Sequence, residues 1–399
     1  VGRVVISNNE RFPIRDVTVS VYAKQYMDEP KVSKTVENLK PGGSTEVDLY
    51  ILFNNSILNL TESEKISAQI VVSYELNGRR QSLDTSHTLD VQNRNAITWD
   101  DDRKAAAFVT PKDEEVLRFA KQIAGLVRTE GPAAVNLNLR MGMGMFEALC
   151  AYRLNYVVDP NTLPYEDAAK NTQIADFLQF PIQTLYYKGG DCDDLSILFC
   201  SLLEAVGIET AFVIVPGHIF SAFSLNIPAE EAARIFESRD DFIYIDGETW
   251  VPVETTMVDK NFLSAMREGA AQWREYDGAG LLPMHENWGE FESAGTPDIV
   301  VSIVPPDYSV VAERFSLELD GFIDMELYTR VEQYRRLIAS SRSPSKIYNR
   351  LGVLFARFGK SEKAEVELKA SFAQSEYVPG MVNLGNLYYV DGRNEDALE

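Results

Sequence analysis

The pattern of apolar and polar residues divides the chain into three parts. In residues 1–95, apolar residues alternate with polar ones, as at Val17 and Val19, and this spacing predicts half-buried β-strands. Turn sequences such as Pro41-Gly42-Gly43 and Asn77-Gly78 separate the alternating stretches. Several short strands with such turns between them predict an all-β sandwich for this first part.

The second part, residues 104–305, contains a helix that begins at a cysteine. Apolar residues with helical spacing form one stripe after Cys192, at Leu195, Leu198, Phe199, Leu202 and Val206. Asp191 can cap the start of this helix, and Gly207 stands where a left-handed stop is expected. We therefore place Cys192 at the helix N-terminus, where the helix dipole favours a thiolate over a thiol.

Strands that bring an imidazole and a carboxylate follow this helix. The stretch Ile208–Val215 is typical of a buried strand, and Pro216-Gly217 turns the chain before His218 opens a second strand. Asp246-Gly247 is a strong two-residue turn signal, and it predicts a hairpin whose second strand ends at Glu254. The order is thus a thiol on a helix, then an imidazole and a carboxylate on adjacent strands.

The third part, residues 322–399, has helical spacing throughout and a repeat. Leu351-Gly352 recurs as Leu384-Gly385, and Phe358-Gly359 is matched by Asp391-Gly392, in each case 33 positions later. This pattern resembles tetratricopeptide repeats, whose period is ~34 residues. The resemblance implies paired helices that bind other proteins, and we expect further repeats beyond residue 399.

Composition limits the classes of partner. The net charge of −22 argues against nucleic acid or an anionic membrane as a partner. No apolar run is long enough to span a bilayer, and we expect the chain to be trimmed at both ends, without a signal peptide. The 3 cysteines do not form a disulfide framework, and Cys150 and Cys200 fit small buried apolar residues.

The second part resembles the transglutaminase-like superfamily. The resemblance rests on Gly190-Asp191-Cys192-Asp193-Asp194-Leu195-Ser196, Leu202–Ile208, Gly217-His218 and Trp250–Thr256. It departs from the family pattern at the last motif, where Glu254 stands for Asp and Thr255 for Pro. The resemblance implies an α+β, papain-like domain. Taking the three parts together, we expect a multidomain chain with an immunoglobulin-like β-sandwich, this α+β domain and all-α helical repeats.

The expected catalytic residues are Cys192, His218 and Glu254. Cys192 would attack an amide carbonyl as a thiolate, His218 would hold the ion pair and protonate the leaving amine, and Glu254 would fix the imidazole tautomer. Asp246 is the alternative acid, although its turn explains it without catalysis. Gln183 and Tyr187 are candidate donors to the oxyanion, with ordinary packing as the favoured interpretation of both.

The acidic run around Cys192 has two interpretations. Asp191, Asp193 and Asp194 fit a solvated helix cap better than a calcium site. No paired cysteines or histidines indicate zinc, so we expect no metal and no cofactor.

These observations favour a cysteine enzyme of the acyl-transfer class. The substrate would be a protein or peptide amide, and the sequence leaves open whether water or an amine accepts the acyl group. The alternative is a weak or inactive transglutaminase-like scaffold within a protein assembly of the bacterial cell envelope. In both cases we expect protein partners on the helical repeats and a periplasmic location, with the cytoplasm as the alternative.

Overall fold

The computed structural model describes residues 2–158, 175–295 and 301–398. The chain forms two compact units, Val1–Ala96 and Ile97–Glu399. The first unit ends one residue after the boundary expected at 95. The β-rich start and the all-helical end of the chain agree with the expected fold class at this coarse level.

The first unit consists of β-strands in two sheets. Its strands are β1 (Gly2–Ser7), β2 (Ile14–Tyr22), β3 (Lys31–Val32), β4 (Val36–Leu39), β5 (Ser44–Leu49), β6 (Glu64–Leu76) and β7 (Arg79–Val91). β1 pairs with β5, while the larger sheet has the order β3-β2-β6-β7 with β4 also paired to β2. Alternating residues from both sheets, such as Val17, Val19 and Val47, share one apolar core. The immunoglobulin-like assignment remains a prediction.

An antiparallel sheet of five strands lies at the centre of the second unit. The strands of this unit are β8 (Ala96–Ile97, at the unit boundary), β9 (Asn155–Tyr156), β10 (Asp176–Phe177), β11 (Gly189–Gly190), β12 (Thr210–Val215), β13 (His218–Pro228), β14 (Ile243–Ile245), β15 (Glu248–Val253) and β16 (Gly280–Pro283). The central sheet has the order β14-β15-β13-β12-β16. Within it, β13 lies between β12 and β15, so the strand that begins with His218 is adjacent to the strand that leads to Glu254.

Helices cover this sheet and extend to the end of the described chain. They are α1 (Glu114–Thr129), α2 (Leu137–Tyr152), α3 (Pro181–Tyr187), α4 (Cys192–Glu204), α5 (Ala229–Ile235), α6 (Phe262–Glu275), α7 (Met284–Asn287), α8 (Tyr308–Ser340), α9 (Ser345–Arg357), α10 (Ser361–Phe372), α11 (Val378–Val390) and α12 (Asn394–Leu398). Short 3-10 helices cover Asn55–Asn59, Asp102–Phe108, Arg239–Asp241 and Thr255–Met257. Among the described residues, no helix is both long and apolar enough to cross a bilayer.

The expected boundary between residues 305 and 322 is wrong, because one long helix occupies it. α8 starts at Tyr308 and buries Phe315 and Leu319 in the core shared with α1 and α2. Its Glu318 carboxylate accepts the backbone N–H of Leu263 at 3.0 Å, at the start of α6. Because a buried carboxylate and buried apolar side chains join α8 to its neighbours, this helix belongs to the second unit.

Capping and burial fix two further segments. α1 begins after an Asp113 cap, and the Thr110 backbone N–H donates to the buried Ser201 hydroxyl at 3.1 Å. The stretch of residues 95–103 includes Asn95, with 2% of its surface exposed, and the start of a 3-10 helix capped by Asp101.

The helical end contains the expected helix pairs. α9 packs against α10, and α11 packs against α10 and α12. Gly359 and Gly392, at the matched repeat positions, both have a left-handed backbone with φ of 70° and 74°. Glycine adopts this conformation without steric cost, which explains why it ends the first helix of each pair.

Candidate active site

Cys192 is the first residue of α4. Asp191 caps the helix, accepting the backbone N–H of Asp194 at 3.5 Å. The helix then packs on β13. Within the helix, the Ser196 hydroxyl donates to the Cys192 carbonyl at 2.6 Å, and it also lies 2.7 Å from the Thr255 hydroxyl. These contacts hold the start of α4 beside the beginning of β13 and the end of β15.

His218 and Glu254 are joined by a short hydrogen bond. The distance between His218 Nε2 and Glu254 Oε2 is 2.6 Å. The turn at Gly217, with a φ of 77°, directs His218 into the first position of β13, and Glu254 directly follows β15. The bond occupies Nε2, so proton exchange with a thiol would fall to Nδ1 of the same ring.

Glu254 is buried, and both oxygens of its carboxylate accept hydrogen bonds. It has 2% of its surface exposed, and besides His218 it accepts Gln272 Nε2 at 3.0 Å on the same oxygen. Its other oxygen accepts the backbone N–H and the hydroxyl of Thr256 at 3.0 and 2.6 Å. Burial alone would raise the pKa of Glu254, but the hydrogen bonds from His218 and Thr256 outweigh burial and lower it. Glu254 is therefore held as a carboxylate.

The environment of the Cys192 thiol opposes the thiolate expected from the helix N-terminus. Burial is the main cause of a strongly raised pKa, and the charges of Asp193 and Asp191 add to it. Hydrogen bonds from the backbone of Ile219 and Asp193 act in the opposite direction without cancelling it. Within the described residues the thiol makes no hydrogen bond to His218, whose known partner is Glu254. In this structure Cys192 is a thiol next to the histidine strand.

Three carboxyl groups surround the start of α4, and they are buried. Asp191, Asp193 and Asp194 have 8%, 5% and 4% of their surfaces exposed, so the expected solvated cap is wrong, although Asp191 does cap the helix. Their oxygens lie within 4.8 Å of one another, near enough to ligate one cation. Burial raises the pKa of Asp193 well above its usual value, and its hydrogen bond with the Asp191 side chain raises it further, so Asp193 keeps its proton to a higher pH than an exposed aspartate.

Asp194 is the member of this cluster with the clearest structural role. One of its oxygens accepts the backbone N–H of Gln179 at 2.7 Å, and the other accepts Gln179 Nε2 at 2.5 Å. Burial, followed by the charge of Asp191, raises the pKa of Asp194 to about 7. The carboxyl group thus ties the segment before α3 to the first turn of α4.

The other candidate residues have local structural roles. Gln183 is buried at the third position of α3, and its Oε1 accepts the backbone N–H of Phe180 at 2.8 Å. Tyr187 has 61% of its surface exposed and packs edge-on against the Tyr186 ring, 5.5 Å between centroids. Asp246 is an exposed turn residue with a φ of 51°, and the hydrogen bond of His218 goes to Glu254 instead.

Tyr156 is a residue near Cys192 that the sequence reasoning did not select. It lies on β9, which runs parallel to β11 with Tyr156 opposite Gly190. Burial raises the pKa of its phenol, and the charges of Cys192, Asp191 and Glu254 raise it further. No sequence signal indicated this neighbourhood, because β9 has two residues and its pairing joins positions more than thirty residues apart.

Comparisons with known proteins identify no relative of this chain. No protein-family model, no curated protein and no solved structure matches the chain.

Proposed function

We propose that the chain is a cysteine acyltransferase or hydrolase of the transglutaminase-like type that acts on peptide or protein amides. The observation that carries the proposal is the 2.6 Å bond between His218 Nε2 and the buried Glu254, beside a helix that begins at Cys192. A carboxylate, an imidazole and a thiol in this order form the set of groups used in thiol acyl transfer. The papain-like fold implied by the motifs belongs to the same proposal.

The raised pKa of Cys192 determines how the first step must run. His218 Nδ1 takes the thiol proton while Cys192 Sγ forms a bond to the amide carbonyl carbon. The resulting oxyanion collapses, the carbon–nitrogen bond breaks, and His218 returns its proton to the leaving amine, which leaves a thioester on Cys192. Water or an amine then attacks the thioester, with His218 again accepting and returning the proton. General-base activation therefore replaces a preformed ion pair.

Glu254 supports both halves of this cycle. Its lowered pKa keeps it charged when His218 becomes an imidazolium, and Gln272 and Thr256 hold its oxygens in place. The Nδ1 and Sγ atoms must come within hydrogen-bond distance during the reaction. His218 opens its strand and has 24% of its side chain exposed, which leaves the ring room for that approach.

The flanking regions are proposed to bind proteins. The helix pairs α9–α10 and α11–α12 have the repeat spacing of tetratricopeptide arrays, and the β-rich first unit is proposed as an immunoglobulin-like spacer or adhesion module. With a net charge of −22, protein partners suit the chain better than nucleic acid. A bacterial envelope protein, placed in the periplasm, fits this combination.

A scaffold without catalysis is the second candidate. It is favoured by the buried acids that raise the pKa of Cys192 and by the lack of a hydrogen bond from the described thiol to His218. Because a scaffold needs no nucleophile, it predicts that Cys192 is chemically inert.

Acylation with p-nitrophenyl acetate separates the two candidates. We expect rapid release of p-nitrophenolate with an acetyl group on Cys192, identified by peptide mapping with mass spectrometry. Replacing the base, His218→Ala, should slow acetylation about 100-fold or more. His285→Ala is the matched control, because His285 also pairs with a carboxylate, Glu204 at 3.0 Å, outside the site. Acetylation that spares Cys192, or that ignores His218, refutes the enzyme and supports the scaffold.

A further inference from the structure

We propose that the Tyr156 hydroxyl is a catalytic hydrogen-bond donor to the carbonyl oxygen under attack, together with the backbone N–H of Cys192. This inference rests on the proposed acyl-transfer function. In this proposal Tyr156 is the side-chain donor to the oxyanion, in place of Gln183 and Tyr187, which the sequence suggested for that role.

The pairing of β9 with β11 places the Tyr156 side chain on the side of the Cys192 helix. Tyr156 lies opposite Gly190, and the backbone N–H of Val157 donates to the Gly190 carbonyl at 2.9 Å. Residues that face each other in neighbouring strands direct their side chains to the same face of the ladder. A Cβ placed on Gly190 would lie 2.5 Å from Asp194 Cβ, so this face is the one covered by the first turn of α4.

The missing Cβ of Gly190 lets the Asp194 side chain pack against the strand opposite Tyr156. Tyr156 keeps 48% of its surface exposed, so a substrate can reach it from solvent. A thiolate at Cys192 and the carboxylate of Glu254 both raise the pKa of its phenol, so the hydroxyl lies within the electrostatic reach of two of the three proposed catalytic residues.

The protonation state of Tyr156 suits a donor. Burial, and then the negative charges of the site, raise the pKa of the phenol above its usual value near 10, so the hydroxyl keeps its proton at neutral pH. An oxyanion needs such a donor as negative charge develops on the carbonyl oxygen. The backbone N–H of Cys192 is a second donor, because the first amides of a helix have no partner within it.

The two alternatives suggested by the sequence are engaged elsewhere. The Gln183 amide oxygen closes the capping box of α3 through Phe180, and the exposed Tyr187 ring packs against Tyr186. Tyr187 thus provides a matched control, since it is a tyrosine at the end of the helix that leads to β11 and Cys192.

The test compares Tyr156→Phe with Tyr187→Phe in the full chain, using acetylation of Cys192 by p-nitrophenyl acetate. Phenylalanine retains the ring and removes only the hydroxyl. We expect Tyr156→Phe to slow acetylation about tenfold without raising KM, less than the ~100-fold of an enclosed donor because Tyr156 is half exposed. Tyr187→Phe should acetylate at the wild-type rate.

A substrate change distinguishes a donor from a packing residue. In the thionoester of the same alcohol, sulfur replaces the carbonyl oxygen and accepts hydrogen bonds poorly. The ratio of wild-type to Tyr156→Phe rates should therefore fall towards one with the thionoester. An equal ratio for both esters, or an unchanged rate with the oxygen ester, overturns the role of Tyr156. By contrast, wild-type protein whose Cys192 is never acetylated overturns the proposed function, and the role of Tyr156 with it.

Discussion

Asp194 offers a quantitative test of the buried acids around Cys192. Its pKa is about 7 in the folded chain, whereas an exposed aspartate has a value of 3.8. Between these two values the folded state binds a proton that the unfolded state has released. The free energy of unfolding should therefore decrease as pH rises from about 4 to about 7, and change little above that from this group.

The size of the effect follows from the shift. A shift of about 3 pKa units, at ~1.4 kcal/mol per unit, gives a loss of about 4 kcal/mol across that window. Asp194→Asn removes the titrating group, so it should stabilise the protein at pH 8 by up to this amount. Near pH 4 the aspartate is itself neutral, and the substitution should change stability little.

The amide can be accommodated because Gln179 has an unused acceptor. Gln179 Nε2 donates to Asp194, while Gln179 Oε1 is buried without a hydrogen-bond partner. After the substitution the Gln179 amide can turn over, so that Oε1 accepts from the new Asn amide. The cost is the weaker bond to a neutral oxygen, and we expect the observed gain to be about half of the full value.

Tryptophan fluorescence during urea unfolding measures this effect in the correct unit. All 4 tryptophans lie in the second unit, at Trp99, Trp250, Trp273 and Trp288, so the β-rich unit does not contribute to the signal. Asp259→Asn is the control, because the Asp259 side chain is 69% exposed. If Asp194→Asn changes stability equally at pH 4 and pH 8, or destabilises at pH 8, the argument from buried protonated acids fails.

Two further substitutions test the catalytic acid and the place of the long helix. Glu254→Gln should slow acetylation of Cys192 at least about tenfold, since His218 loses its charged partner, whereas Asp246→Asn should change it little; the opposite ranking would mean that the third catalytic residue is misassigned. Arg314→Met removes the partner of the buried Glu147 carboxylate and should destabilise the second unit by about 2 kcal/mol in urea unfolding. The loss should be smaller than for a fully buried ion pair, because the Arg314 side chain is 35% exposed while Glu147 is 1% exposed. An unchanged midpoint would argue against α8 as part of that unit.

Local patterns predicted the elements that carry the candidate site. The apolar stripe after Cys192 and the stop at Gly207 correspond to α4, which ends at Glu204, and Gly207 has a φ of 83°. The Asp246-Gly247 turn has the positive φ values, 51° and 82°, that such a hairpin requires. These features depend on residues within a few positions of one another, so the sequence alone was sufficient to identify them.

Features that depend on distant contacts were missed. Glu318 and Glu326 interrupt the apolar pattern of α8, so the pattern does not indicate a long buried helix. Glu326 is 3% exposed and accepts the backbone N–H groups of Glu237 and Ser238 at 2.7 and 3.3 Å. Both acids accept hydrogen bonds from backbone N–H groups far away in the sequence, and a local sequence pattern contains no information about such partners.

The start of α2 illustrates the same limit. Its sequence contains Gly142 and Gly144, and helix propensity alone argues against a helix that continues through two glycines. In the structure the helix begins at Leu137. A Cβ on Gly142 would collide with the Phe223 ring and one on Gly144 with Val127, so close packing rather than helix propensity requires glycine there.

The two groups of acids define the conditions under which the proposed chemistry can operate. Glu254 has a lowered pKa and is charged even in mild acid, while the raised pKa values of Asp194 and Asp193 let both side chains keep their protons to a higher pH than an exposed aspartate. Each of these protons removes a negative charge that would oppose removal of the Cys192 proton. As pH rises, hydroxide favours the thiolate, but the newly charged acids raise the thiol pKa and counter this gain. General-base transfer to His218 avoids the conflict, because the thiolate is formed only as the bond to the substrate carbon forms.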